Sequence, residues 1–238
     1  MPDDNRPGHD ALFDDDRTDA AAQGLAISRL QPTARDPSRL SVLVNGRRVA
    51  TLPARCMHDL DLYVGLAWTP DVEARVTAAS QQDEVHRRAL RMLNRRALSS
   101  GEVRDRLIRR HGAASEVVDR VIADLQRIGL LDDAGYGRMV LRDLTASGRK
   151  PAGAALMRSK LRQRRLESAL IEELVTEARA SSDPDAEIAS LIEVRLGRME
   201  RLDSATRYRR LYSYLARRGF ESERITSALK ARLRELDD

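Results

Sequence analysis

The sequence predicts a mainly α-helical protein, an elongated array of three tandem three-helix repeats preceded by a small N-terminal unit that contains a β-hairpin. Three observations carry that expectation. Apolar residues recur at helical spacing from about Pro70 onward. Within that stretch the same apolar columns return every 54 residues. Ahead of it, an Asn-Gly pair separates two β-prone runs.

Composition fits small layers better than one large core. Of 238 residues, 42% are apolar but only 3% aromatic, so the interior is expected to consist of Leu, Val, Ile and Ala. Residues 1–24 hold seven acids (Asp3, Asp4, Asp10, Asp14, Asp15, Asp16, Asp19) and two bases (Arg6, Arg17), a net −5. The whole chain carries +5, so the remainder carries +10. The first 24 residues are polar and punctuated by Gly and Pro, and are expected to be a disordered acidic tail.

The first ordered element is a strand over 25–30 that ends at Pro32. Residues 39–44 and 47–52 flank Asn45-Gly46, and a type I′ turn needs positive φ at both central residues. A small β-rich unit with short helices is therefore expected over 25–82, with Trp68 packed in its core. Ser99-Ser100-Gly101-Glu102 has the form of a capping box, Asp183-Pro184 that of a helix start, and Ile128-Gly129-Leu130 that of a stop.

The repeat is read from four apolar columns: Val103, Met157 and Leu211; Leu107, Leu161 and Leu215; Val117, Ile171 and Ile225; Val121, Val175 and Leu229. Arg110, Arg164 and Arg218 keep the same interval. Three three-helix units are expected at 83–131, 132–181 and 182–238. Each is too small to hold much core alone, so neighbours are expected to stack.

Surface charge supplies the functional signal. Between 149 and 165 stand seven bases (Arg149, Lys150, Arg158, Lys160, Arg162, Arg164, Arg165) and no acid, and 208–218 adds Arg209, Arg210, Arg217 and Arg218, again without an acid. Helices that accept such like-charge repulsion suggest a contact with a polyanion or an acidic protein, with Arg104, Arg106 and Arg110 as the first-repeat counterparts. Arg serves phosphate and carboxylate equally well, so the pattern leaves the two open. Tyr208, Tyr212 and Tyr214 are open to base stacking or to core packing, whereas Phe220 after Gly219 is expected inside.

The sequence points away from catalysis. Asp132-Asp133 is expected to cap a helix, and the histidines stand at no zinc spacing. There is neither a Gly-rich phosphate loop nor a G-x-S-x-G turn, and no cofactor is expected. A single cysteine, Cys56, allows no internal disulfide. No apolar run is long enough to span a membrane and no secretory signal is read, so a cytoplasmic protein is expected.

Over about 86–236 the chain resembles the RecX family of RecA modulators. The resemblance rests on Ala89, Leu90, Leu93, Arg95, Arg96, Ser99, Glu102, Val103, Arg106 and Leu107, on Gly129-Leu130-Leu131-Asp132-Asp133 with Tyr136-Gly137, and on Tyr208-Arg209-Arg210-Leu211-Tyr212 with Leu215 and Arg217-Arg218-Gly219-Phe220. It implies a non-enzymatic regulator that binds RecA, free or as its single-stranded-DNA filament, and damps filament growth, strand exchange and co-protease activity. No membrane contact is implied, and a monomer is expected. A DNA-binding protein independent of RecA, or an adaptor for an acidic protein, would show the same basic faces. Two positions depart from the family: Arg165 stands where Gly is usual, and Gly137 where Ala is usual. The first must strain into a left-handed conformation or end its helix differently. The second is expected to loosen its helix by about 1 kcal/mol.

Overall fold

The computed structural model describes residues 24–145, 150–180 and 182–237. The acidic tail and Arg149 therefore lie outside the described residues, apart from Gly24. The chain divides into two compact units between Arg87 and Arg88.

The first unit is an antiparallel meander of β1 (Ile27–Pro32), β2 (Arg39–Val44) and β3 (Arg47–Pro53), followed by α1 (Arg55–Asp59) and the start of α2 (Pro70–Leu93). Asn45 and Gly46 turn the β2–β3 hairpin with φ of 47° and 78°, as the Asn-Gly pair predicts. Ile27, Val42, Val44 and Leu52 from the sheet meet Val72 and Val76 from α2 in one core. Trp68 packs against this core half-buried, so it closes the unit from its rim. The Arg39 guanidinium reaches Asp83 on α2 at 2.6 Å, and both side chains are nearly buried. α2 continues past 82, the expected end of this unit, to Leu93.

The second unit contains α3 (Ser100–His111), α4 (Ser115–Arg127), α5 (Asp133–Thr145), α6 (Ala154–Gln163), α7 (Ser168–Arg179), α8 (Pro184–Leu196), α9 (Ser204–Arg217) and α10 (Ser222–Asp237). Local chemistry sets the ends. Ser99 and Glu102 form a complete capping box, Asp183 caps α8 with Pro184 at its first position, and Gly129 breaks the chain after α4 with φ 74°. All twelve residues of the four 54-residue columns are buried, which makes the repeat a repeat of cores. Repeat 2 packs Leu141, Met157, Leu161, Ile171, Leu174 and Val175 together, and repeat 3 does the same with Ile188, Leu211, Leu215, Phe220, Ile225 and Leu229.

Repeats are joined through their middle helices, end to end. The Ser99 hydroxyl before α3 donates to the Arg164 carbonyl at the end of α6. One repeat on, Gly153 N–H donates to the Arg218 carbonyl at 2.8 Å, and Ala155 N–H to that of Gly219 at 3.2 Å. These are equivalent places, since 99 and 153, and 164 and 218, are 54 apart. Each joint thus sets donors at the start of one middle helix against the orphan carbonyls that end the next, satisfying both at once.

The joints need little bulk. A Cβ on Gly101 would stand 2.1 Å from the Arg165 carbonyl oxygen, and one on Gly153 2.1 Å from that of Gly219. The two family departures resolve here. Arg165 adopts φ 59°, so it takes the left-handed conformation that Gly219 (φ 83°) holds at the equivalent place, at a cost of about 1–2 kcal/mol. Gly137 is a point of close packing: a Cβ there would lie 2.3 Å from Leu174 Cδ1, the end of a side chain on α7.

Candidate functional site

The amphipathic pattern fixes which side chains the middle helices turn outward. With Val103 and Leu107 inside, α3 presents Arg104, Arg106, Arg109 and Arg110. With Met157 and Leu161 inside, α6 presents Arg158, Lys160 and Arg162. With Leu211, Tyr214 and Leu215 inside, α9 presents Arg209, Arg210 and Arg217.

The fold divides these cations into two groups. Several are neutralised by acids remote in sequence. Arg104 pairs with Asp119, Arg158 holds both Glu172 oxygens at 3.0 and 2.9 Å, and Arg165 meets Asp105 at 3.0 Å. Arg106 and Arg164 approach Glu102 at 3.6 and 3.8 Å. Arg218 is spent on the chain itself, donating to the Lys150 and Pro151 carbonyls, while the Lys150 ammonium lies 5.5 Å from the Tyr214 ring centre. Among the described residues Arg110, Lys160, Arg162, Arg209, Arg210 and Arg217 are exposed and have no carboxylate at ion-pair distance. The acid-free run over 149–165 is therefore acid-free only along the sequence, because Glu172, Asp105 and Glu102 fold back onto it.

Glu102 is the residue that sequence reasoning undervalued. Its buried carboxylate accepts from Ser99 N–H, from the Tyr136 hydroxyl at 3.0 Å and from Arg96 at 3.1 Å, and faces Arg106 and Arg164. The capping box announced its bond to the N-cap but not the guanidinium groups that gather on it. Burial pushes the Tyr136 phenol above its ordinary pKa, and its hydrogen bond to Glu102 adds to the rise. Asp132 and Asp133 are caps, as expected, but of two helices. Asp132 accepts from Gly135 N–H at 2.9 Å, and Asp133 reaches across to Ser100 N–H at 2.7 Å, at the start of α3.

The aromatics split the same way. Tyr214 and Phe220 belong to the repeat 3 core, and the Arg195 guanidinium lies 4.0 Å from the Tyr214 ring centre. Tyr208 and Tyr212 stack at 6.2 Å, half-buried against that core. Cys56 is half-buried, and its thiol is pushed up by burial, so it is a weak nucleophile. Among the described residues no cluster of His, Cys, Asp and Glu is placed to hold a metal, and no helix is long and apolar enough to cross a membrane.

Fold and surface together define a tandem three-helix-repeat protein whose polar chemistry sits at repeat joints and on basic helix faces. Known proteins share this build. Residues 86–125 match the first three-helix domain of RecX, and residues 183–229 the third. The regulatory protein RecX of Pelodictyon phaeoclathratiforme is 34% identical over 142 residues, which cover 60% of this chain and 84% of that one. The regulatory protein RecX of Prosthecochloris aestuarii is 31% identical over 144 residues, covering 60% and 89%. A crystal structure of a regulatory protein RecX superposes with a TM-score of 0.70 at 18% identity, over 87% of this chain and 99% of that one. The chain belongs to the RecX family of regulatory proteins.

Proposed function

We propose that this protein binds RecA, free and as its single-stranded-DNA filament, and mostly inhibits filament growth, strand exchange and co-protease activity in DNA repair and recombination. The observation that carries this reading is membership of the RecX family through both outer repeats. The surface supports it. Arg110, Lys160, Arg162, Arg209, Arg210 and Arg217 leave the middle helices with unneutralised positive charge for a filament of DNA and acidic protein surface. Arg104 and Arg158 can exchange internal carboxylates for external ones, since exposed pairs are worth about 1 kcal/mol or less. The protein acts as a cytoplasmic monomer without a cofactor.

The test is RecA ATPase activity on single-stranded DNA as this protein is titrated in. Loss of ATPase at substoichiometric protein is expected, and an unchanged rate at excess protein removes the proposal. Equal affinity for free DNA and for the RecA–DNA filament would instead favour a DNA-binding protein that needs no recombinase.

A further inference from the structure

At the joint of repeats 1 and 2, Arg106, Arg109 and Arg110 of α3 face Gln163 and Arg165 at the end of α6 across a cleft of about 290 Å³, with Glu102 and Asp105 in its lining. The charges there do not balance. Arg96, Arg106 and Arg164 surround Glu102, and Arg109 and Arg165 share Asp105 at 3.7 and 3.0 Å. Arg110 adds a guanidinium with no carboxylate of its own. Four of these cations, Arg106, Arg109, Arg110 and Arg165, line the cleft with Glu102 and Asp105, a surplus of two, while Arg96 and Arg164 pair with Glu102 outside that lining. Helix C-terminal dipoles favour bases at the ends of α3 and α6, and both ends meet at this one cleft.

We propose that this cleft binds a phosphate group of a single-stranded DNA backbone. Three observations converge on it. The cluster is particular to this joint: 54 residues on, Glu102 and Asp105 correspond to Leu156 and Ser159, and Arg164 to the carbonyl-bound Arg218. Arg165 takes a left-handed backbone conformation that glycine adopts in the next repeat, and its guanidinium pairs with Asp105 at the cleft. Two internal carboxylates already occupy part of the donor set, and what remains is Arg110, the loosely paired Arg109 and the Gln163 amide. These are donors from two helices, suited to a tetrahedral anion with several acceptor oxygens. The choice of DNA as the source of that phosphate rests on the proposed action at a RecA–DNA filament.

The test compares the full chain with R109Q/R110Q and with R198Q/R201Q. The second pair removes two exposed charges from the segment between α8 and α9. Arg106 and Arg165 are left intact because they pair with Glu102 and Asp105, the first within α3 and the second across the joint. Binding of a fluorescent oligo(dT) is read by anisotropy over a range of salt, with thermal melting as the check on folding. R109Q/R110Q is expected to weaken oligo(dT) binding about tenfold or more and to flatten the log–log salt slope by about 0.7 for each phosphate that is no longer neutralised. R198Q/R201Q should change it several-fold less. Equal losses in the two variants overturn the proposal, because net charge alone would then be acting. Normal oligo(dT) binding by R109Q/R110Q with loss of RecA inhibition also overturns it, assigning the cleft to RecA carboxylates. Inorganic phosphate, matched for ionic strength with chloride, is the third arm. Weak displacement of the oligonucleotide supports a strand phosphate. Tight phosphate binding that leaves oligo(dT) bound overturns the assignment in favour of a small anion. A wild-type chain that binds oligo(dT) through the cleft but leaves RecA untouched would sink only the RecA reading.

Discussion

Replacing Gly153 with Ala tests whether the head-to-tail joints hold the repeats together. Gly153 has φ −73° and ψ 164°, ordinary for alanine, so the substitution brings no backbone strain of its own. Its whole cost is steric: the new Cβ would sit 2.1 Å from the Gly219 carbonyl oxygen and 2.6 Å from the Phe220 nitrogen, backbone atoms that cannot swing away. Relief requires the joint to open, which breaks the bonds from Gly153 N–H to Arg218 and from Ala155 N–H to Gly219. Each bond is worth about 1 kcal/mol, and more where a buried group is left unpaired. Alanine also stiffens the unfolded chain, which returns about 0.4–1 kcal/mol. The net expectation is a loss of about 2 kcal/mol, or roughly 4–8 °C in Tm for a unit of this size. Thermal melting followed by circular dichroism at 222 nm reads it. G112A is the comparison, since Gly112 has φ 62° but nothing near its absent Cβ, and should cost only the left-handed strain of about 1–2 kcal/mol. If G153A melts within a degree of the wild type, the close approach of α6 to the end of α9 is not what joins the repeats.

Other substitutions separate the roles assigned above. E102Q should destabilise the second unit by about 2 kcal/mol in urea titration, because Arg96, Arg106 and Tyr136 lose a charged acceptor; a neutral result would make the cluster incidental. R158Q loses only an exposed pair with Glu172 and should cost less than about 1 kcal/mol, whereas R162Q should leave stability unchanged and weaken filament binding more. Similar filament affinity for the two would show that internal neutralisation does not govern availability. The Tyr136 phenol is raised in the folded state, so the unfolded chain ionises first as pH climbs. The stability Tyr136 contributes is complete below the unfolded phenol value near 10 and is lost as pH rises through its folded value. Y136F should lessen the alkaline fall in Tm, and an unaltered alkaline profile would count against the buried phenol.

Much of the architecture is legible in the sequence because it depends on spacing alone. Whether a residue faces the core follows from its place in a 3.6-residue period, so Leu107, Leu161 and Leu215 mark a buried column without reference to any other helix. The Asn45-Gly46 turn, the Ser99–Glu102 box and the Asp183-Pro184 start are equally local, since each bond closes within three residues or so. Family resemblance lies in the same short stretches. The candidate site is legible only as a set of cations.

The sequence by itself determined the repeat, its core columns, most helix ends and the excess of positive charge. Tertiary structure alone decided which charges remain free. Arg158 finds Glu172 fourteen residues on, Arg165 finds Asp105 sixty residues back, and Arg218 turns onto carbonyls of another repeat. It also decided that Gly101 and Gly153 are points of close approach and that Arg165 occupies a glycine's conformation. The physical reason is range. Burial is set by a residue's own helix, whereas an ion pair or a backbone approach needs a partner whose position is fixed only when separate helices pack.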